Sequence, residues 1–256
     1  MTRHVLLNNV EHKDLKVVTR YSAEYGDGVH AVLTFPTEYA DIQREYPILF
    51  RRQGDSWQSV VLLGLEEGEN LFLDDGRWNA HYVPGIVARG PFLIGFQRQE
   101  IDGAERREPV VHVDLDDPRV NELEGEPVFL EHGGNTPYLQ RIAAILRGIQ
   151  EGIAVSKPMF AALESHGLIE PANIEMEVHA DVRYVLRGFH TISRDRLAAL
   201  DGGALESLNR AGFLEGAFLV LASLGNIRKL IDLKNRRMSR AAGARTARDT
   251  GRKQIP

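Results

Sequence analysis

The sequence predicts an α+β fold, with a mainly antiparallel sheet from the N-terminal half and residues 174–192 and with helices mostly in the C-terminal half. Three observations carry this. Up to about residue 115, short apolar runs alternate with turn residues. From residue 135, apolar residues recur at helical spacing, and between residues 174 and 192 the two-residue alternation returns. The chain has 256 residues, of which 43% are apolar and 26% charged, so it can bury a core and is not disordered throughout.

Residues 29–35 read as a strand ended by Pro36. Residues 37–45 carry Tyr39 and Ile42, with Tyr46 just beyond, at helical spacing, and Pro47 ends that segment because the residue before a proline is pushed out of the helical region. Residues 48–51 read as a short strand, and the valine- and leucine-rich 58–65 as a stronger one. A short strand at 70–73 leads into Asp74-Asp75-Gly76-Arg77, where Asp-Gly signals a tight turn and Trp78 begins the return arm. Residues 92–98 and 110–115 read as strands joined by a charged connection at 101–108.

Thr136-Pro137 has the form of an N-cap and first helical residue. Leu139, Ile142, Ala143, Leu146 and Ile149 then form one apolar face. Residues 156–166 read as a second helix, with Pro158 early and Gly167 as its stop. In residues 174–192, Ala180-Asp181 is the expected turn. Ser193 and Asp201 are caps for two short helices, Gly212 closes the second, and residues 214–231 make a long amphipathic helix. Beyond Asn235 the chain is rich in Arg, Ala and Gly without an apolar period, and disorder is expected. The expected organisation is therefore a β-rich lobe at 1–134, a helical lobe at 135–235 containing the 174–192 β segment, and a disordered basic tail at 236–256. The first two are compatible with one domain.

Composition excludes several chemistries. Cysteine is absent, which removes disulfides, iron–sulfur clusters, thiolate-bound zinc and thiol nucleophiles. The N-terminus lacks the roughly 7–15 apolar residues of a secretory signal. The most apolar window, 211–227, contains Glu215 and Asn226 and falls short of the ~20 residues a membrane span needs. A cytoplasmic protein is expected. The net charge is -5, yet residues 228–256 hold ten Lys/Arg against two Asp. A basic tail on an acidic body is an anion-binding arm, a segment that touches its own body, or a solvated extension. The tail has no aromatic residue on which bases could stack, so nucleic acid is not the expected partner.

No P-loop, Rossmann glycine fingerprint, His-Glu-x-x-His or Gly-x-Ser-x-Gly motif is present. One pair of residues has metal-ligand spacing. His112 and Asp114 lie at i and i+2 of an expected strand, on one face, and could supply two of three ligands of a two-histidine, one-carboxylate Fe(II) site. His166, His179 or His190 would be the third. A solvated strand end is the competing reading. For ligand binding, Asn70, Arg77, Trp78, Tyr82 and Arg89 bring amide, guanidinium and aromatic groups close in sequence. Trp78 and Tyr82 read equally as core aromatics with bonded tips.

A family resemblance narrows the field. Leu6-Leu7-Asn8-Asn9 with Glu11 to Leu15, Gln43 to Phe50 with its Tyr-Pro-Ile-Leu-Phe run, and Gly68-Glu69-Asn70-Leu71-Phe72 are similar to the bacterial SapC family. Gly76-Arg77-Trp78 with Tyr82-Val83-Pro84, then Leu186 to Ile192, and Gly212-Phe213-Leu214 extend the likeness. Gly90 departs from it, since an aromatic or basic residue is expected before Pro91-Phe92. The family takes its name from a surface-layer gene cluster, and members sit beside genes for TonB-dependent receptors, halogenase-like flavoproteins and cupin-like proteins. The resemblance brings no agreed catalytic residues. It implies a soluble accessory or binding protein of a surface-layer or TonB-dependent uptake system, with a protein partner or small ligand, no cofactor and no catalysis of its own. The alternative is a divergent metal-dependent, oxygenase-like enzyme using His112 and Asp114 with Fe(II), so catalysis stays open at this point.

Overall fold

The computed structural model describes residues 3–101, 104–178 and 182–252. Its centre is a five-stranded antiparallel sheet, in the order Ile169–Pro171, Phe189–Ile192, Ile48–Gln53, Ser56–Leu62, Ala31–Thr34. Ile48, Leu49 and Phe50 on one central strand and Val60, Val61 and Leu62 on its neighbour are all fully buried. Strands covered on both faces read as continuous apolar runs rather than alternating ones, which explains the sequence pattern here. The helix Pro137–Ser165 packs on Ser56–Leu62, and the helix Phe213–Ser223 packs on Ile48–Gln53 and Phe189–Ile192.

A second antiparallel sheet runs His4–Leu6, Ala104–Asp114, Phe92–Ile101. A small third sheet places Lys16–Val17 between Val120–Asn121 and Glu126–Pro127. Two hairpins complete the strands: Ile174–Val178 with Val182–Leu186, and Leu73–Asp74 with Arg77–Trp78. Asp75 and Gly76 at the second hairpin's tip have φ of 47° and 75°, the two positive values that an Asp-Gly turn supplies. The α+β architecture, with antiparallel sheets and helices concentrated toward the C-terminus, is thus the one the sequence predicts.

Two buried clusters make up the core, and the helix Pro137–Ser165 joins them. Its first turns place Tyr138, Leu139, Ile142 and Leu146 against Phe92, Val113 and Val17. Its last turns place Met159, Phe160 and Leu163 in the larger cluster, where Phe160 meets Phe50 edge-on with ring centroids 5.0 Å apart. Thr136 caps it as expected, accepting from the Leu139 amide at 3.2 Å.

Local expectations fail where tertiary contacts intervene. The two helices expected on either side of Pro158 are one, because buried Met159, Phe160 and Leu163 hold the turns after the proline to the core. The charged segment 101–108 is mostly strand, paired through Ile101↔Ala104 at the tip of a long hairpin. The expected turn at Ala180-Asp181 lies outside the described residues. The long C-terminal helix is divided by a tight turn, Leu224–Asn226, where Asn226 donates to the Gln43 and Tyr46 carbonyls at 2.7 and 3.2 Å. After it the helix Ile227–Arg252 continues past Asn235, where the ordered chain was expected to end. Arginine and alanine are good helix formers without any apolar period. Arg237 donates to the Leu73 carbonyl and Arg240 pairs with Asp74, so this part of the basic segment touches its own body.

Candidate functional site

Glu38 is nearly buried, and its carboxylate gathers three donors. Thr34 Oγ1 donates to Oε1 at 2.8 Å, while the Tyr82 hydroxyl and the Gly85 amide donate to Oε2 at 2.8 and 2.9 Å. The last of these fixes the start of the one-turn helix Gly85–Ala88. A Cβ at residue 85 would lie a tight 3.3 Å from Glu38 Oε2, so glycine leaves the carboxylate its place. That short helix delivers Arg89. Gly90 follows with φ 56°, a left-handed conformation that favours glycine.

Arg89 lines a cleft of about 370 Å³ together with Tyr25, Asp27, Val32, Ile86 and Arg119. Its Nη1 donates to the Phe92 carbonyl, its Nε is buried without a hydrogen-bond partner, and no carboxylate pairs with it among the described residues. Burial, and the neighbouring Arg119 charge, lower the Arg89 pKa from its ordinary value. Arg119 differs. Its Nε and Nη2 grip Asp117 at 2.9 and 2.6 Å, and this fork outweighs burial and raises its pKa. Burial pushes the Asp117 carboxyl up, but the Arg119 hydrogen bonds pull it below the usual range. Asp27 is buried, with Oδ2 accepting from the Ser22 amide at 2.9 Å, and desolvation pushes its carboxyl up.

An apolar groove of about 320 Å³ adjoins this cleft and shares Ile86 and Arg89 with it. Leu93, Ile94 and Phe96 of the hairpin and Leu146, Ile149 and Ile153 of the long helix form its walls. Ile153 is 57% exposed and Phe96 49%.

Of the five residues expected to bind ligand, Arg89 lines both the cleft and the groove. Asn70 is buried behind the cleft, where its amide donates at 2.8 Å to the Asp27 carbonyl and its oxygen accepts from the Phe72 amide. Trp78 sits in the core, its Nε1 donating to the Tyr46 hydroxyl at 2.7 Å and its ring meeting Tyr21 edge-on. Tyr82 holds Glu38. Arg77 is exposed on its hairpin and lines neither cavity. The sequence reading missed Glu38, Asp27, Asp117 and Arg119. Their partners lie far along the chain or in loops without a motif, and the Asp-Pro-Arg of residues 117–119 is too short to mark a fork.

His112 and Asp114 do share one strand. Among the described residues no three His, Asp or Glu side chains gather to hold a metal. Asp114 Oδ1 accepts from the amides of Arg3 and Asp116 at 2.9 and 3.1 Å, and its Oδ2 lies 3.6 Å from His4. The His112 ring is packed over Gly95, with a buried Nδ1 that has no partner. His190 stacks edge-on to Trp57 in the central sheet, and His179 lies outside the described residues.

The fold and its clefts define an antiparallel α+β protein in which no described helix is long and apolar enough to cross a membrane. The family model SapC matches residues 7–230, and the chain belongs to the SapC family. No curated protein and no solved structure matches it.

Proposed function

We propose that this SapC-family chain is a cytoplasmic accessory protein that works by binding, without turnover of its own, in a bacterial surface-layer or TonB-dependent uptake system. The groove between the hairpin and the long helix carries this reading. It is apolar, open to solvent, and bounded by one guanidinium, Arg89, and one amide, Gln150. Covering the exposed half of a side chain such as Ile153 is worth roughly 1 kcal/mol, so a few such contacts along the groove anchor a partner segment. The surface-layer cluster that names the family, and the TonB-dependent receptor genes among its neighbours, support the same reading.

A photo-crosslinking amino acid in place of Gln150, in cells that carry the natural gene neighbourhood, tests the reading. One dominant protein adduct, lost when Ile153→Asp is added, is the expected result. Adducts that survive Ile153→Asp, or turnover of a metabolite by the purified chain, would overturn it.

A further inference from the structure

Arg89 poses an electrostatic problem that the protein alone does not solve. A guanidinium withdrawn from water costs several kcal/mol unless a counter-charge or a full set of acceptors replaces the water. The neighbouring Arg119 has both, through its fork on Asp117. Arg89 has one hydrogen-bond acceptor, the Phe92 carbonyl, its buried Nε faces none, and the Asp117 charge acts on it only without a hydrogen bond. The two arginines line one cleft, and Arg119 Nη1 lies 3.9 Å from where a Cβ of Gly90 would be. Arg51, Arg89 and Arg119 line the cleft against one carboxylate, Asp27, so positive charge exceeds negative charge along its wall.

The cleft around it has the makings of a small-molecule site. Its 370 Å³ falls within the about 300–1,000 Å³ such sites occupy. Val29, Val32, Leu33, Ile86 and Val87 supply apolar wall, and the Tyr25 ring supplies an aromatic edge. Asp27 is fixed at the rim by the Ser22 amide and by the Asn70 amide on its carbonyl, so the cleft is held open from both sides of the chain.

We propose that this cleft binds a small organic monocarboxylate, seated on the free edge of the Arg89 guanidinium with its apolar body against Val32 and Ile86. A planar carboxylate matches the guanidinium fork. A phosphate dianion fits less well, because Asp117 already places a carboxylate on the adjacent Arg119 and the buried Asp27 carboxylate lines the same cleft.

Calorimetry with hexanoate, and with inorganic phosphate and hexylamine in parallel, tests this on the full chain. Hexanoate should bind saturably at one site, phosphate more weakly, and hexylamine not at all. In nitrogen-edited NMR the Arg89 Nε–H resonance should move during the hexanoate titration, a wild-type readout that does not depend on any variant folding. Arg89→Gln should weaken hexanoate at least tenfold. Arg89→Lys, which keeps the charge and can still reach the Phe92 carbonyl, should weaken it less. Ile153→Asp, in the groove but outside this cleft, should leave it unchanged. No saturable binding, an Arg89 resonance that does not move, phosphate binding tighter than hexanoate, or loss of binding in Ile153→Asp would each overturn the proposal.

Discussion

Lys234 Nζ and Glu69 Oε1 lie 2.7 Å apart, although 165 residues separate them in sequence, and Lys234 is only 6% exposed. The same ammonium reaches Glu66 at 3.2 Å. This is what fastens the helix Ile227–Arg252 to the loop after Ser56–Leu62. Removing Lys234 strands Glu69, which is half-buried at the contact, with its second oxygen accepting from the Leu65 amide. Lys234→Met should therefore cost about 1–3 kcal/mol. Arg240→Met, which breaks a largely exposed pair with Asp74, should cost under about 1 kcal/mol. Urea unfolding of the two variants measures the contrast, and equal losses would refute the assignment of Lys234 as the fastening residue.

The same fastening gives the fold its response to acid. The Tyr184 hydroxyl and the Lys234 ammonium hold the Glu66 carboxyl below its ordinary value. Burial pushes Glu45 up, but Lys229 and the amides of Tyr82 and His81 pull it down further, leaving it low as well. A carboxylate with a depressed folded pKa contributes stability above its unfolded value of roughly 4.3 and loses it as the pH falls through the folded value. Burial lowers the Lys234 pKa and its glutamate hydrogen bonds raise it more, so its share is lost only on the alkaline side, as the pH rises through that raised value. Unfolding midpoints should thus hold steady near neutrality and fall below about pH 4.3. Glu45→Gln combined with Glu66→Gln should flatten that acid slope.

How much of this was legible depends on the distance between partners. Thr136-Pro137, the Asp75-Gly76 turn and the apolar runs 48–51 and 58–65 are local signals, and each lies where the sequence places it. Pro158 is also local, and it misleads, because Met159, Phe160 and Leu163 are held by a core assembled from remote strands. At the candidate site the position of Arg89 was readable as an arginine in an awkward place. Its lack of a counter-charge was not, because that depends on Asp117 being claimed by Arg119. Trp78 and Tyr82 look alike in sequence whether they face a ligand or the core. The hydroxyls of Tyr46 and the carboxylate of Glu38 decide the matter for each.

Asp27 offers a different test of sign. Burial raises its pKa, so its charged form is disfavoured in the folded state and it weighs against stability at neutral pH. The penalty fades as the pH falls through the raised folded pKa and the group takes up its proton. Asp27→Asn keeps an acceptor for the Ser22 amide and carries no charge. It should be at least as stable as the wild type near neutrality, and this advantage should shrink as the solution is acidified. Melting temperatures of the two proteins across an acid series report this directly, and an advantage that grows toward low pH would contradict it.

The His112 ring packs directly over Gly95 on the second sheet. They face across neighbouring strands, where Gly95 pairs with Val110 and His112 with Leu93, and the imidazole occupies the space that a side chain at residue 95 would need. A Cβ at that position would overlap His112 Cε1 and Nδ1. Gly95→Ala must therefore push the ring out, at a cost of about 1–3 kcal/mol for overpacking. His112→Ala removes the ring and leaves a notch, with its own loss. Together the two changes put alanines at both positions, and the methyl at residue 95 no longer meets the ring, so the double variant should be more stable than the sum of the single losses predicts, by about 0.5–3 kcal/mol of coupling. Urea midpoints of the four proteins complete the cycle. Strict additivity would mean that His112 is not held by this contact, and its orphaned Nδ1 would then need a different explanation.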